Sequence, residues 1–170
     1  MQVLIPISSS STFFPIEDYF FPKPLVEVAG HPMIELVTKQ LKKQLNEPNF
    51  TFVVDREDAR AFSINRTCEL AGGPETKVIE RMGNTAGALC SCLLAVDSLD
   101  ESKPLLISNS DQIITANLGM HVERFEKAQV DAGVVTFDSI HPRWSYVVEK
   151  DGNRVAQTFE KKVMSRIAIA

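Results

Sequence analysis

Pro104-Leu105-Leu106-Ile107-Ser108-Asn109-Ser110-Asp111 is the stretch around which the chain is organised. An apolar run, Leu105 to Ile107, breaks off into small polar residues and one carboxylate. Short apolar runs between turn signals fit a strand buried on both faces. In an open α/β sheet, ligands sit beyond the carboxyl ends of such strands. Asp111 then stands at the mouth of a site, where a carboxylate can hold a hard divalent cation. It can equally cap the helix that follows.

Upstream, Val3 to Ile7 is a first strand, and Ser8-Ser9-Ser10-Ser11-Thr12 follows it directly, the position of a ligand loop. Phe13, Phe14, Tyr19, Phe20 and Phe21 add aromatic surface that must pack on something. Pro22-Lys23-Pro24 holds a lysine in a stiff extended segment. From spacing alone Lys23 reads as a solvated loop residue, with phosphate binding as the functional alternative. Gly30-His31-Pro32 is a turn, and His31 reads as a turn residue with no acidic partner nearby. Met33, Val37, Leu41 and Leu45 recur every four residues and form the apolar stripe of a helix. Asn46 and Pro48 end it.

Phe50 to Val54 is a second core strand ending at Asp55. Arg56 to Leu70 reads as one helix closed by Gly72-Gly73-Pro74. Thr76 to Ile79 is a third strand, followed by the loop Glu80 to Asn84. Thr85 to Val96 is rich in Ala, Cys and Leu and is expected to be a buried helix. The small residues of Asn84-Thr85-Ala86-Gly87 either admit a flat ligand or simply pack closely on the sheet.

Beyond Asp111, Ala116 to Gln129 is a helix expected to turn Met120, Val122 and Phe125 inward. Asp131 to Phe137 is another apolar strand. Tyr146 to Glu149 and Arg154 to Phe159 flank Asp151-Gly152, a β-hairpin signature. Ser165 to Ala170 reads as a strand just begun, and the chain is expected to be a piece of something longer. Strands alternate with helices four times, the pattern of a mostly parallel sheet. One domain, 1–170, is expected.

The 170 residues suffice for a sizeable core. The net charge of -4 argues against a nucleic-acid surface, which needs a basic patch. No apolar run is long enough to span a bilayer, and Met1 to Ile7 lacks the pattern of a signal peptide. No membrane or nucleic-acid partner is expected, and the cytoplasm is the default compartment. Cys68, Cys90 and Cys92 form no metal pattern with histidine and read as small buried hydrophobes.

Several of these pieces, in this order, resemble the sugar-phosphate nucleotidyltransferases, or nucleotide-sugar pyrophosphorylases. Pro22-Lys23-Pro24-Leu25 with Val28 to Ile34 resembles that family's P-K-P-L…V-x-G-K-P-M-I stretch. Asn84 to Ala88 resembles its G-T-A-G-A loop, and Leu105 to Asp111 its strand ending in N-G-D. Ser145 to Val148 with Asp151-Gly152, Glu160-Lys161 and Ser165 resembles its Y-G-V…D-x-G…E-K-P…S tract. The resemblance runs from about Val3 to the last residue.

It implies a Rossmann-like three-layer α/β/α sandwich with a mostly parallel sheet. It also implies a reaction joining a nucleoside triphosphate to a sugar 1-phosphate with release of pyrophosphate. Lys23 and Asp111 would be the catalytic pair, with Lys23 meeting phosphate and Asp111 holding Mg²⁺. Ser8, Ser9, Ser10, Ser11, Thr12, Asn84, Thr85 and Gly87 would bind the nucleotide. Tyr146, Glu160 and Lys161 would face the sugar phosphate. The base, the sugar and the oligomeric state stay open, and the family's second metal carboxylate falls beyond Ala170.

This chain departs from the family at its phosphate loop. The family opens with G-x-G-T/S-R, whereas here the place reads Ser8-Ser9-Ser10-Ser11-Thr12, with no cation and no glycine. His31 also replaces a lysine and Lys162 a proline. Two other readings therefore stand beside the enzyme. One is a nucleotide or nucleotide-sugar binding module of the same fold. The other is a metal-dependent glycosyltransferase whose D-x-D is reduced to Asn109-Ser110-Asp111.

Overall fold

The computed structural model describes residues 1–7 and 18–170. Ser8 to Thr12, expected to form a ligand loop, and the aromatic Phe13 and Phe14 lie outside the described residues. The chain divides into two compact units, Met1–Thr115 and Ala116–Ala170.

In the first unit, β1 (Gln2–Pro6) leads through a 3-10 turn at Lys23–Leu25 to β2 (Glu27–Val28) and β3 (His31–Pro32). The two short strands pair antiparallel across Ala29 (φ 52°) and Gly30 (φ 81°). Two left-handed residues in succession make the primed turn whose twist suits a hairpin. Then follow α1 (Met33–Gln44), β4 (Asn49–Asp55), α2 (Arg56–Phe62) and α3 (Ile64–Gly72). The unit is completed by β5 (Lys77–Arg81), α4 (Ala88–Leu93) and β6 (Leu105–Ile107).

These make a four-stranded parallel sheet in the order β5-β4-β1-β6. The fold is thus α/β and Rossmann-like, as expected. From β1 the chain steps outward to β4 and β5, then returns to the other side of β1 with β6. The order reverses between β1 and β6, which creates a crevice outside their carboxyl ends.

The core lies along β1 and β4, whose side chains from Val3 to Ile5 and from Phe50 to Val54 are buried. Val37, Leu41 and Leu45 of the α1 stripe are buried with Ile34 between its turns. Phe50 and Phe52 stack at 6.0 Å between ring centroids.

Four expectations are corrected. The run Arg56 to Leu70 is two helices, because Ser63 adopts a left-handed conformation (φ 55°) that breaks the hydrogen-bond ladder. Leu105 and Ile107 are not buried; Ile107 is 53% exposed. Their strand is at the sheet edge, and the helices pack mainly on β1, β4 and β5. The helix expected over Thr85 to Val96 is only Ala88–Leu93, with Ser91, Cys92 and Ala95 turned inward and Leu89, Leu93, Leu94 and Val96 exposed. Gly87, at φ 150° and ψ 179°, lies outside the helical region and stops the helix from starting earlier. Cys90 on the same helix is exposed, while Cys68 and Cys92 are buried as expected.

In the second unit, α5 (Leu118–Lys127) precedes β7 (Thr136–Asp138), β8 (Tyr146–Lys150), β9 (Arg154–Phe159) and β10 (Ile167–Ile169). Asn117 caps α5 by accepting from the Met120 N–H at 3.1 Å. Of this helix Leu118 is buried, whereas Met120 is exposed, against expectation. The four strands form an antiparallel sheet in the order β7-β10-β8-β9, and β8 and β9 are the expected hairpin. Arg166 joins the edge by a two-pronged pair to Asp138, at 2.9 and 2.7 Å.

Candidate functional site

Two segments meet at the β1/β6 crevice of the first unit. After β1 the chain reaches the 3-10 turn, where Pro22 and Pro24 restrict the backbone on either side of Lys23. The turn is closed by Leu25 N–H to Pro22 O (2.8 Å) and Val26 N–H to Lys23 O (3.2 Å), and Pro24 is buried. After β6, the Ser108 N–H still bonds Leu4 O of β1 at 3.0 Å, and Ser110 is buried. Asn109 donates to Gln112 Oε1 at 2.8 Å.

Lys23 Nζ lies 2.7 Å from Asp111 Oδ2, with the two side chains 16% and 30% exposed. The lysine is therefore an ion-paired, largely covered cation, and the solvated reading drawn from spacing is corrected. His31 is likewise not without a partner: its Nδ1 is 3.3 Å from Glu35 Oε2, one helical turn on.

The segment after Asp111 is held by α1. Gln40 donates to Ile114 O at 2.7 Å and accepts from Ile114 N–H at 3.2 Å, and Gln44 donates to the same carbonyl at 3.0 Å. Sequence reasoning missed this clamp. Its only trace is the spacing of Gln40 and Gln44, four apart on one helix face.

A second loop leaves the same carboxyl end of the sheet after β5. Thr85 Oγ1 lies 2.8 Å from Ser91 Oγ and donates to Gly87 O at 3.2 Å. Asn84 is exposed and Thr85 half-buried. Arg81, at the end of β5, donates to Asp55 Oδ2 at 2.8 Å, to Gly83 O and to Asn84 Oδ1 at 3.4 Å. Its neighbour Glu80 accepts from Asn65 at 2.7 Å and from Arg56 at 3.1 Å. Those bonds, Asn65's first, lower its carboxyl below the usual range. All four strands being parallel, the loops after β5 and β6 leave the same end of the sheet three strand spacings apart, roughly 14 Å.

Tyr146, Glu160 and Lys161 belong to the second unit. Tyr146 is 0% exposed and donates its hydroxyl to His141 O at 2.7 Å. Although Tyr146 pairs in register with Phe159, the adjoining Glu160 and Lys161 are exposed. Ser165 donates to Val147 O at 2.6 Å and accepts from the Ile167 N–H at 3.0 Å, tying β8 to the start of β10.

A parallel sheet whose order reverses beside an ion-paired lysine and aspartate is a doubly wound α/β architecture, in which ligands bind at the switch point. Solved structures of this fold include a nucleoside-diphosphate-sugar pyrophosphorylase from Vibrio cholerae RC9. It is 19% identical, with TM-score 0.74 over 99% of this chain and 70% of that one. A UDP-glucose pyrophosphorylase from Acinetobacter baumanii is 17% identical, with TM-score 0.73 over 99% and 71%. The inositol-1-phosphate CTP transferase from T. maritima is 14% identical, with TM-score 0.71 over 99% and 67%. At these identities the likeness is one of fold. No curated protein matches the sequence. The family model described as nucleotidyl transferase matches residues 13–165. The chain belongs to that family, in agreement with the motifs read from its sequence.

Proposed function

We propose that this protein transfers a nucleotidyl group from a nucleoside triphosphate to a sugar 1-phosphate. A phosphate oxygen of the sugar 1-phosphate attacks the α-phosphorus, the bond from that phosphorus to the β-phosphate bridging oxygen breaks, and pyrophosphate leaves with the electron pair. No covalent enzyme intermediate is involved, so the chain's task is positioning and charge neutralisation.

The observation that carries this reading is the Lys23–Asp111 pair at 2.7 Å, set where the strand order reverses. A phosphate entering the crevice exchanges Asp111 for itself as the partner of Lys23, and the released carboxylate faces the same phosphates. The donor set suits Mg²⁺, which binds through one or two carboxylates together with substrate phosphates rather than in a protein cage. Among the described residues no group of three His, Cys, Asp or Glu side chains stands together, and Asp111 supplies one carboxylate. Mg²⁺ held there would neutralise charge on the phosphate oxygens. Asn84, Thr85 and Gly87 receive the base; in the second unit, the resemblance assigns Glu160 and Lys161 to the sugar phosphate. The resemblance assigns the triphosphate to the stretch Ser8 to Thr12, which offers hydroxyl donors and no cation.

The serine loop favours one second reading. It carries no cation, and neutral donors contribute only about 0.5–1.5 kcal/mol each, so binding without turnover is the alternative. Pyrophosphate release separates the two. The enzyme releases pyrophosphate only when a nucleoside triphosphate, a sugar 1-phosphate and Mg²⁺ are all present. Nucleotide binding with no release assigns the chain to the binding module.

A further inference from the structure

Arg81 is 4% exposed and, among the described residues, the one charged side chain in the buried class. A buried charge is costly unless it is paired and hydrogen-bonded. Here one guanidinium nitrogen donates to Asp55 Oδ2 at 2.8 Å, and another meets Gly83 O and Asn84 Oδ1. Asp55 is anchored in turn. Its second oxygen caps α2, accepting from the N–H of Glu57 at 2.8 Å and of Asp58 at 3.4 Å. Arg81 thus spans from the junction of β4 and α2 to the first residues of the loop after β5.

At the loop's other end, Thr85 is bonded to Ser91 Oγ and Gly87 O. The loop also contains Gly83 at φ 66° and Gly87 at φ 150°; glycine enters these regions freely, so the loop's shape is set by its side-chain ties rather than by its own backbone. A buried ion pair is weak grounds for stability by itself, and an apolar side chain fills such a place at less cost. What an apolar residue lacks is the fork that reaches Asp55 and the Gly83 carbonyl together.

We propose that Arg81 is a positioning residue for nucleotide binding, fixing Asn84 and Thr85 in the shape that receives the base. This rests on the reading of Asn84 to Gly87 as the nucleotide loop. Arg81→Lys keeps a charge for Asp55 but cannot reach both partners at once. Asp55→Asn keeps the α2 cap, since asparagine caps as well as aspartate, and loosens only the arm to Arg81.

The test uses the full chain and reads amide hydrogen exchange together with calorimetric affinity for a nucleoside triphosphate in Mg²⁺. In Arg81→Lys, exchange should quicken across residues 83–87 while the β1 and β4 amides keep wild-type rates. Affinity should fall about tenfold, the loss of one hydrogen bond to a charged group. Where turnover is measurable, KM for the nucleotide should rise more than kcat falls. Asp55→Asn should shift the same readouts in the same direction, and it decides the matter if Arg81→Lys does not fold. Unchanged affinity in a folded variant overturns the role, as does exchange that quickens equally along β4 and β5, which marks a purely structural residue. A wild-type chain that binds no nucleoside triphosphate overturns the nucleotide reading itself, and is told apart because it needs no variant.

Discussion

Lys23 Nζ and Asp111 Oδ2 are 2.7 Å apart, although one residue follows β1 and the other follows β6. Each neutralises the other. A cation and a carboxylate are thereby kept beside the crevice without either being driven into bulk solvent. Phosphate and Mg²⁺ together can take over both partnerships, whereas either one alone leaves a charge unmatched.

Asp111→Asn should therefore cost little stability and much ligand. The pair is partly exposed, so its loss should lower unfolding free energy by about 1 kcal/mol or less. Nucleoside triphosphate affinity should lose its dependence on Mg²⁺. Titration with and without Mg²⁺ checks this, and a variant that still binds better with Mg²⁺ would remove the metal role from Asp111.

Gln40→Ala removes both bonds to Ile114 and frees the segment after Asp111. The expected stability loss is about 1–3 kcal/mol, for two bonds at ordinary net values, read by urea unfolding. Mg²⁺-dependent affinity should also drop, although Gln40 touches no ligand in the proposed complex. Affinity that stays at wild type would mean the loop holds Asp111 without α1.

Gly87→Ala meets no steric obstacle, since an added Cβ has nothing within 4 Å. Its penalty is in the backbone: φ 150° with ψ 179° is a region open essentially to glycine alone, at a cost of about 1–3 kcal/mol. The loop should relax rather than the sheet unfold, so nucleotide affinity should fall further than thermal stability. Equal losses in both would place the strain in the fold instead.

Thr12→Arg combined with Ser8→Gly and Ser10→Gly restores a cation and backbone freedom to the phosphate loop. Turnover should rise more than affinity, because neutral donors suffice to orient a phosphate whereas a departing pyrophosphate needs charge stabilisation. Steady-state rates and binding constants measured side by side decide it. Wild-type turnover in the ordinary range of about 1–10³ s⁻¹ would show that another residue supplies that charge.

Acid sensitivity should include a contribution from Asp100. Its carboxylate accepts from the Ser102 hydroxyl at 2.6 Å and the Ser102 N–H at 3.0 Å, with Lys103 at 3.1 Å. The Ser102 hydroxyl bond is the largest cause, and together these lower its pKa from 3.8 to about 2. A lowered carboxyl stabilises the fold above its unfolded value and loses that contribution as pH falls through the folded one. The stability difference between wild type and Asp100→Asn should hold steady above pH 5 and shrink between about pH 4 and pH 2. An NMR titration midpoint near 4 for Asp100 would remove the effect.

Much of the fold was legible because secondary structure obeys short-range rules. The four-residue stripe from Met33 to Leu45 predicts α1, and the apolar runs at Val3 and Phe50 predict β1 and β4. Glycines and prolines mark where these elements stop. The order of the motifs carried the family, because each motif is a local string. Ser63 escaped notice because a left-handed residue inside an apolar helical pattern leaves no compositional mark. The exposure of Leu105 and Ile107 was hidden for a different reason: an apolar run reads the same in a central strand and at an edge. The sequence alone thus determined where most of the strands and helices lie and to which family the chain belongs. Tertiary structure alone decided that Lys23 faces Asp111, that Gln40 grips Ile114, that Arg81 bridges Asp55 to Gly83, and that Tyr146 turns into the core. Each of those depends on which strands lie side by side, a choice made by closing long loops and burying shared surface, and no window of a few residues records it.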